Sequence, residues 1–504
     1  MGNLGFDIKK TSAFVSYSRK GDGRALIIYP PHQRIPHVHL NELGFDEYLQ
    51  KFPDKIDLLD LRHFFFGSFN CKDRKKNMIS DYVDWAFFIK KENKGKILDF
   101  LINGTPDKEI SRCINIIGRF IPRGYEQYIF VLAFPKQTTM TLCLAKYLKE
   151  ENKKVIIARN IKNSYLTSPV RIRELMAFPF VDVVADSFEN NIIDLISEKS
   201  LCEIEGIWYR GNGKIKKNKT VSQPIRLASL PTPMYKHLEH KKVKRIYYEL
   251  SRGCVHQCDF CSHSEQVLDV RPIKAVIHDL KYLIKKFDCH HFHFLCTAVN
   301  FSRKYVLDLC HEIITSNINI QWGSYIFLDA IDDEIARKLH EAGCFFVDGG
   351  VESPLVGNLN SGKIKDMGGV EKNLELLKRN GIKTYVSFII RGINHKLNEE
   401  EEIIKFALRN KENIDFIFLN EFEIHALNVK NIVRKNKGIK VHPRYVLDQG
   451  YYEFSESGSY EDWVRETFKA RQNIKSQIED KTNIKIIHCC DSCQENCVYF
   501  NSET

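Results

Sequence analysis

The chain has 504 residues, 43% of them hydrophobic and 28% charged, with a formal net charge of +11. That length and apolar content allow roughly two to four domains with real cores, so the fold does not depend on disulfides. Lys and Arg are interleaved with acids along the whole chain, as in KKENKGK and NHKLNEEEEIIK, which argues against a nucleic-acid partner bound through one basic stripe.

Residues 1–23 form a lead containing MGNLGFDIKKTSAF, which has neither the apolar run nor the small-residue cleavage site of a secretory signal. No uncharged apolar stretch reaches the length that spans a bilayer. A cytoplasmic protein with no membrane partner is expected. Residues 24–200 then alternate strand and helix. RALIIYPP opens an α/β domain, YIFVLAFPKQTTMTLCLAKYLKEENKKVIIARN supplies a β-α-β unit, and FPFVDVVADSFENNIIDLIS closes it. Between them, residues 60–125 read as charged amphipathic helices beside that domain. IEGIWYRGNGKIKKN and PIRLASLPTPMY fall in a linker predicted over 201–240.

Residues 241–425 predict six parallel strands separated by helices. The strands are 245–250, HHFHFLC (290–296), INIQWGSYIF (318–327), CFFVDGGVES (344–353), IKTYVSFIIRG (382–392) and DFIFLNEFEI (415–424). Ser324 and Arg391 fall where strand ends would face a barrel mouth. Residues 426–504 form an extension with a predicted helix, YEDWVRETFKARQNIKSQIE, and a Cys-rich end.

Chemistry concentrates in the cysteines, of which there are fifteen. Eight stand singly, Cys71, Cys113, Cys143, Cys202, Cys289, Cys296, Cys310 and Cys344, and read as small core hydrophobes. Cys254, Cys258 and Cys261 fall within CVHQCDFC, and Cys489, Cys490, Cys493 and Cys497 within HCCDSCQENC. In a reducing compartment such clusters bind metal or do chemistry. A structural zinc site takes four protein ligands, and no fourth Cys or His stands at finger spacing after Cys261, although His256 and His263 leave zinc open. Four-iron clusters also take four ligands, so three thiols leave one iron open to a substrate or cofactor.

CVHQCDFC resembles the CxxxCxxC signature of the radical S-adenosylmethionine (SAM) superfamily, and RIYYELSRGC resembles the barrel strand that enters its cluster loop. The resemblance implies an enzyme with an α/β fold: an N-terminal Rossmann-like, cobalamin-binding-like domain, then a partial (β/α)6 barrel. It implies a 4Fe–4S cluster on Cys254, Cys258 and Cys261, and SAM bound at the open iron and cleaved to a 5′-deoxyadenosyl radical. An electron donor such as flavodoxin or ferredoxin is implied as well. FVDGGVESP resembles the segment bordering SAM, which makes Gly349, Gly350 and Glu352 candidate SAM contacts, and Phe260 stands where the family has an aromatic residue beside the adenine. Glycine allows close backbone approach, and a carboxylate accepts from ribose hydroxyls or an ammonium.

Residues 24–200 resemble the cobalamin-binding domain that precedes many such barrels. Ala158-Arg159 stand where related domains have paired glycines, and Asp186-Ser187-Phe188-Glu189 where they have a Gly-rich turn. DLRHFFFG, at 60–67, lacks the spacing of a lower His ligand. The domain is therefore expected to keep the fold without the corrinoid. In the extension, Cys490, Cys493 and Cys497, with Cys489 or His488, are candidates for an auxiliary iron–sulfur cluster, a zinc site or a hydrogen-donating thiol. The expected reaction is hydrogen abstraction from an unactivated carbon of a peptide precursor or small molecule, ending in epimerisation or cross-linking. Cobalamin-dependent C-methylation is the alternative, and a zinc-dependent nucleic-acid-binding protein is the alternative outside enzymes.

Overall fold

The computed structural model describes residues 14–16, 24–30, 56–61, 85–88, 93–132, 137–149, 153–159, 169–197, 199–222, 225–235, 243–261, 263, 266–355, 364, 366–393, 398–425, 429–436, 438–443, 451–455 and 459–488. Two compact units divide it, one of Met1–Lys241 with Arg444–Tyr451, the other of Lys242–Pro443 with Tyr452–Thr504.

The first unit is an eight-stranded sheet of β1 (Phe14–Ser16), β2 (Ala25–Tyr29), β3 (Ile56–Asp60), β4 (Gln127–Leu132), β5 (Lys154–Arg159), β6 (Val183–Ala185), β7 (Ile207–Gly211) and β8 (Lys214–Lys217). Its order is β1-β3-β2-β4-β5-β6-β7-β8. The inner strands β3, β2, β4, β5 and β6 are all parallel. Strands covered on both faces read as unbroken apolar runs, which is what ALIIY and YIFVL are. Helices α1 (Lys94–Asn103), α2 (Lys108–Gly118), α3 (Thr138–Leu148), α4 (Pro169–Ala177) and α5 (Phe188–Ile196) accompany this sheet. The chain leaves β2 in one direction and β4 in the other, so a switch point lies between them. Residues 207–217, expected as linker, instead form β7 and β8, which extend the sheet antiparallel. The GNG turn between them closes a hairpin with Asn212 and Gly213 both at positive φ.

The second unit carries β9 (Ile246–Glu249), the short pair β10 (Ser251–Arg252) and β11 (Asp269–Val270), then β12 (His291–Leu295), β13 (Gln321–Ile326), β14 (Cys344–Glu352), β15 (Lys383–Ile390) and β16 (Phe416–Glu421). Helices α6 (Ile273–Phe287), α7 (Arg303–Thr315), α8 (Asp333–Glu341), α9 (Met367–Arg379) and α10 (Glu399–Arg409) alternate with these strands. After β16 come β17 (Ile424–His425), α11 (Val429–Lys435), β18 (Lys440–Pro443), β19 (Tyr451–Ser455), α12 (Tyr460–Glu479) and β20 (Lys485–His488). The main sheet runs β20-β16-β15-β14-β13-β12-β9, every pairing parallel. The six predicted barrel strands are all present. The seventh, β20, lies in the stretch expected as an extension beyond the barrel, and α12 precedes it as the crossover. Between β16 and α12, at the C-terminal end of the strands, an inserted three-stranded sheet of order β17-β19-β18 is built.

Alternation along the strands divides side chains between helices and barrel interior. On the helix side, Trp322 Nε1 donates to Ala342 O at 2.8 Å, and Tyr248 donates to Asp279 Oδ2 at 2.6 Å. Arg271 Nε donates to the same oxygen at 2.7 Å. On the opposite face His293 stacks on Phe346 at 5.6 Å and Tyr385 on Phe416 at 4.5 Å, with Arg245 over Phe346, making an aromatic floor. Asp279 is fully buried and holds the cation of Arg271. Asp279→Ala leaves that cation buried without its partner, and we expect chemical denaturation to show a loss of about 3–5 kcal/mol.

Candidate cluster and cofactor site

The site begins where β9 ends. Glu249 and Arg252 form a bidentate pair, Nε to Oε1 at 3.0 Å and the second nitrogen to Oε2 at 2.8 Å. Ser251 and Arg252 pair with Val270 and Asp269, so the loop that leaves β10 must return beside its own start. Gly253 makes this close return possible. Its φ is +74°, and a Cβ there would lie 2.4 Å from Val267 O and 2.7 Å from Gln266 O. Thr297 Oγ1, just past β12, donates to Gly253 O at 2.8 Å.

Cys254, Cys258 and Cys261 therefore share one folded loop. Cys258 is buried, and Cys254 and Cys261 are half-buried. The amide of His256 points at Cys254 Sγ and that of His263 at Cys261 Sγ, each at 3.4 Å. Such N–H groups favour the anionic sulfur that ligates iron. Among the described residues no three His, Cys, Asp or Glu side chains converge on a single-ion site. Three thiols on one loop, two of them faced by backbone amides, are a donor set that fits three corners of a four-iron cluster. The ring of His256 is not aimed at the thiols alone, since it packs edge-on against Phe327 at 4.5 Å.

The other candidate residues distribute unevenly. Gly350 and Glu352 lie at the C-terminal end of β14, with a bulge between them. Glu352 is mostly buried, has φ +66°, and sits in the middle of a γ-turn closed by Ser353 N–H to Val351 O at 2.8 Å. A non-glycine residue with that φ is strained and needs support. The support comes from Ser353, whose hydroxyl donates to the buried Glu399 at 2.8 Å. The packing around Gly349 has a local cause, because a Cβ there would lie 2.3 Å from Leu328 Cγ. Phe260 packs against an apolar cluster of the inserted segment that includes Phe422, Ile432 and Phe454.

Ser324, expected at the mouth, is fully buried and donates to Phe294 O at 3.0 Å, so it does not reach the opening. Arg391 follows β15 at φ +53°, pairs with Glu466, and accepts from Trp463 Nε1 at its carbonyl. Of the single cysteines, Cys113, Cys143, Cys289, Cys310 and Cys344 are buried as expected, whereas Cys202 is exposed. Burial pushes the Cys296 thiol up to about 12, keeping it protonated beside Ser324. Cys71, Cys489, Cys490, Cys493 and Cys497 lie outside the described residues. Two acids escaped the sequence reading. Asp348, on the barrel face of β14, accepts from Ser387 at 3.1 Å, and Asp259 lies inside the cluster loop. The signal for Asp348 was an acid within the apolar run CFFV-D-GGV.

At the C-terminal edge of the first unit's sheet, Gln137 Nε2 donates to Pro30 O at 2.7 Å, spanning the switch point. Arg159 Nε donates to Asp186 O, and burial holds its guanidinium down at about 10 while raising the Asp186 carboxyl. Tyr29 meets the ring of Phe188 at 6.4 Å. Among the described residues this edge is bonded to itself, with bulky groups at the positions where related domains have glycine. These residues do not fit the close backbone approach of a corrinoid.

Residues 248–407 match the Radical SAM superfamily. An uncharacterized methyltransferase of Pyrococcus horikoshii is 24% identical over 346 residues, 66% of this chain and 72% of that protein. The anaerobic magnesium-protoporphyrin IX monomethyl ester cyclase of Rubrivivax gelatinosus is 27% identical over 219 residues, 40% of this chain and 39% of that protein. Among solved structures, the radical SAM methyltransferase TsrM of Kitasatospora setae, with cobalamin and a 4Fe–4S cluster bound, aligns with a TM-score of 0.59 at 12% identity. The alignment covers 90% of this chain and 89% of that one. The cobalamin-dependent SAM radical enzyme OxsB aligns with a TM-score of 0.60 at 17% identity, covering 90% and 68%. Residues 248–407 therefore form the Radical SAM domain of an enzyme, and the α/β unit that precedes the barrel shares the fold of TsrM and OxsB. That family's cofactors are SAM and an iron–sulfur cluster. Replacing Cys254, Cys258 or Cys261 with Ala should remove about four irons per chain, read by metal analysis after anaerobic reconstitution. Unchanged iron in the triple variant would overturn the ligand assignment.

Proposed function

We propose that this enzyme abstracts a hydrogen atom from an unactivated carbon of a substrate seated at the barrel mouth, and does so without a corrinoid. The observation that supports it is the folded loop of three thiols that follows β9, with a strained, mostly buried Glu352 at the C-terminal end of β14 in the same parallel sheet. Cys254, Cys258 and Cys261 would hold a 4Fe–4S cluster, which with bound SAM supplies a 5′-deoxyadenosyl radical. The chain's own residues do the rest. Gly350 leaves room on the barrel face, and Glu352 offers acceptor oxygens to the ribose hydroxyls or the ammonium of SAM. Asp348 and Ser387 put polar groups on the barrel wall above the aromatic floor, where they can orient a substrate. Phe346, His293 and Tyr385 keep water from entering through that floor. Cys490, Cys493 and Cys497 would serve the substrate radical, as ligands of a second cluster or as a hydrogen donor.

Methyl transfer is the second reading, favoured by the fold shared with TsrM and OxsB. Arg159, Asp186 and Gln137 speak against it. Protein incubated with hydroxocobalamin and desalted should keep no stoichiometric corrinoid by absorbance, while reduced enzyme still converts SAM to 5′-deoxyadenosine. One-to-one retention would put methylation first. Replacing Cys490, Cys493 and Cys497 with Ala should leave SAM cleavage in place and stop product formation. A fall of about four irons would mark a second cluster, and unchanged iron with lost turnover a working thiol. Normal turnover with unchanged iron would remove these cysteines from the mechanism.

A further inference from the structure

We propose that Lys435, contributed by the segment inserted after β16, is a positioning residue for the cluster loop and raises its cluster's reduction potential by neutralising Asp259. The inference rests on the reading of Cys254, Cys258 and Cys261 as cluster ligands. Asp259 stands between Cys258 and Phe260, so its charge lies within the ligand loop itself. Its side chain is only 13% exposed. Lys435 Nζ donates to its Oδ1 at 2.6 Å, and its Oδ2 is buried with no hydrogen-bond partner among the described residues.

A carboxylate held this way is costly to the fold, because half of its acceptor capacity is lost from water without replacement. Electrostatics gives it a role. A negative charge in the loop opposes addition of an electron to the cluster, and potentials of such clusters follow the net charge around them. Lys435 cancels that charge from 176 positions away in sequence. It is the last residue of α11, where the helix dipole also favours a cation. Adjacent Phe260 packs against the apolar cluster that this segment builds from Phe422, Ile424, Ile432 and Phe454, and Val429, the first residue of α11, packs against the same cluster. The segment thus holds residue 259 by an ion pair and residue 260 through an apolar cluster. The cluster is easiest to reduce when that segment is seated.

The test uses full-length protein, reconstituted anaerobically, as wild type, K435M, D259N and D259N/K435M. Each is titrated to a series of potentials and the reduced cluster is counted by electron paramagnetic resonance, with no substrate required. K435M leaves an uncancelled carboxylate, so the ratio of reduced to oxidised cluster should fall about tenfold at a fixed potential, about 59 mV for one electron. D259N leaves an uncancelled ammonium and should raise the ratio by a similar factor. The double variant should return close to wild type. Mere loosening of the loop would move both single variants the same way, and that result, or no shift in either, overturns the proposal. Should K435M hold no cluster, D259N decides alone, since it removes the charge at nearly constant shape and must shift the ratio upward. Wild type without a cluster would defeat the cysteine assignment itself, a failure distinguishable from an assembled cluster whose potential ignores both charges.

Discussion

Three thiols can serve one cluster only if the chain between them turns back on itself, and in this protein the turn is limited by the space at Gly253. Its left-handed φ and the carbonyls of Gln266 and Val267 leave no room for a side chain. The bidentate Glu249–Arg252 pair fixes the approach to that glycine, and the two-residue ladder of β10 and β11 fixes the return. Everything chemical about the site depends on this closure. Once the loop is shut, two backbone amides face two of the sulfurs, and the donor set has three members.

The barrel supplies the remaining order. Parallel strands place their C-terminal ends on one rim, so Gly253, Thr297, Glu352 and Arg391 meet there although they are far apart in sequence. The rim is stitched by buried polar groups. Asn300 donates to Phe327 O and Ala330 O and accepts from Phe327 N–H, tying the end of β12 to the end of β13. The γ-turn at Glu352 stores strain where a carboxylate is displayed, and the Ser353–Glu399 bond behind it resists relaxation. Rigid backing of this kind lets a small number of side chains orient a reactive cofactor.

Much of this was legible in the sequence for a physical reason. Strands buried on both faces must be apolar throughout, and each helix between them carries its own period, so the six barrel strands announced themselves. The three-thiol loop was visible because its ligands are local. What stayed hidden depends on distant neighbours. KIIH is four residues long and fell in the extension beyond the predicted barrel, yet it pairs with β16 as a seventh strand. The hairpin of β7 and β8 read as linker because KIKK is polar, being exposed at the edge of its sheet. The smallness of Gly349 also answers to Leu328, which no local pattern shows, and Ser324 looked open when it is fully buried and bonded to Phe294 O. No local pattern could pair Lys435 with Asp259.

The first unit shows the same contrast between fold and site. Its strand order is that of a doubly wound sheet, while Arg159 bonds the carbonyl of Asp186 and Gln137 that of Pro30 at the edge where a ligand would approach. Chemistry is therefore assigned to the three-thiol loop, which as the proposed holder of a four-iron cluster would leave one iron without a protein ligand. Electron–nuclear double resonance on the reduced enzyme, with SAM carrying nitrogen-15 in its amino group and oxygen-17 in its carboxylate, measures that directly. Hyperfine coupling from both labels to the cluster is predicted, because both groups would bind the open iron. Absence of coupling in protein that holds its full cluster and binds SAM would contradict the account.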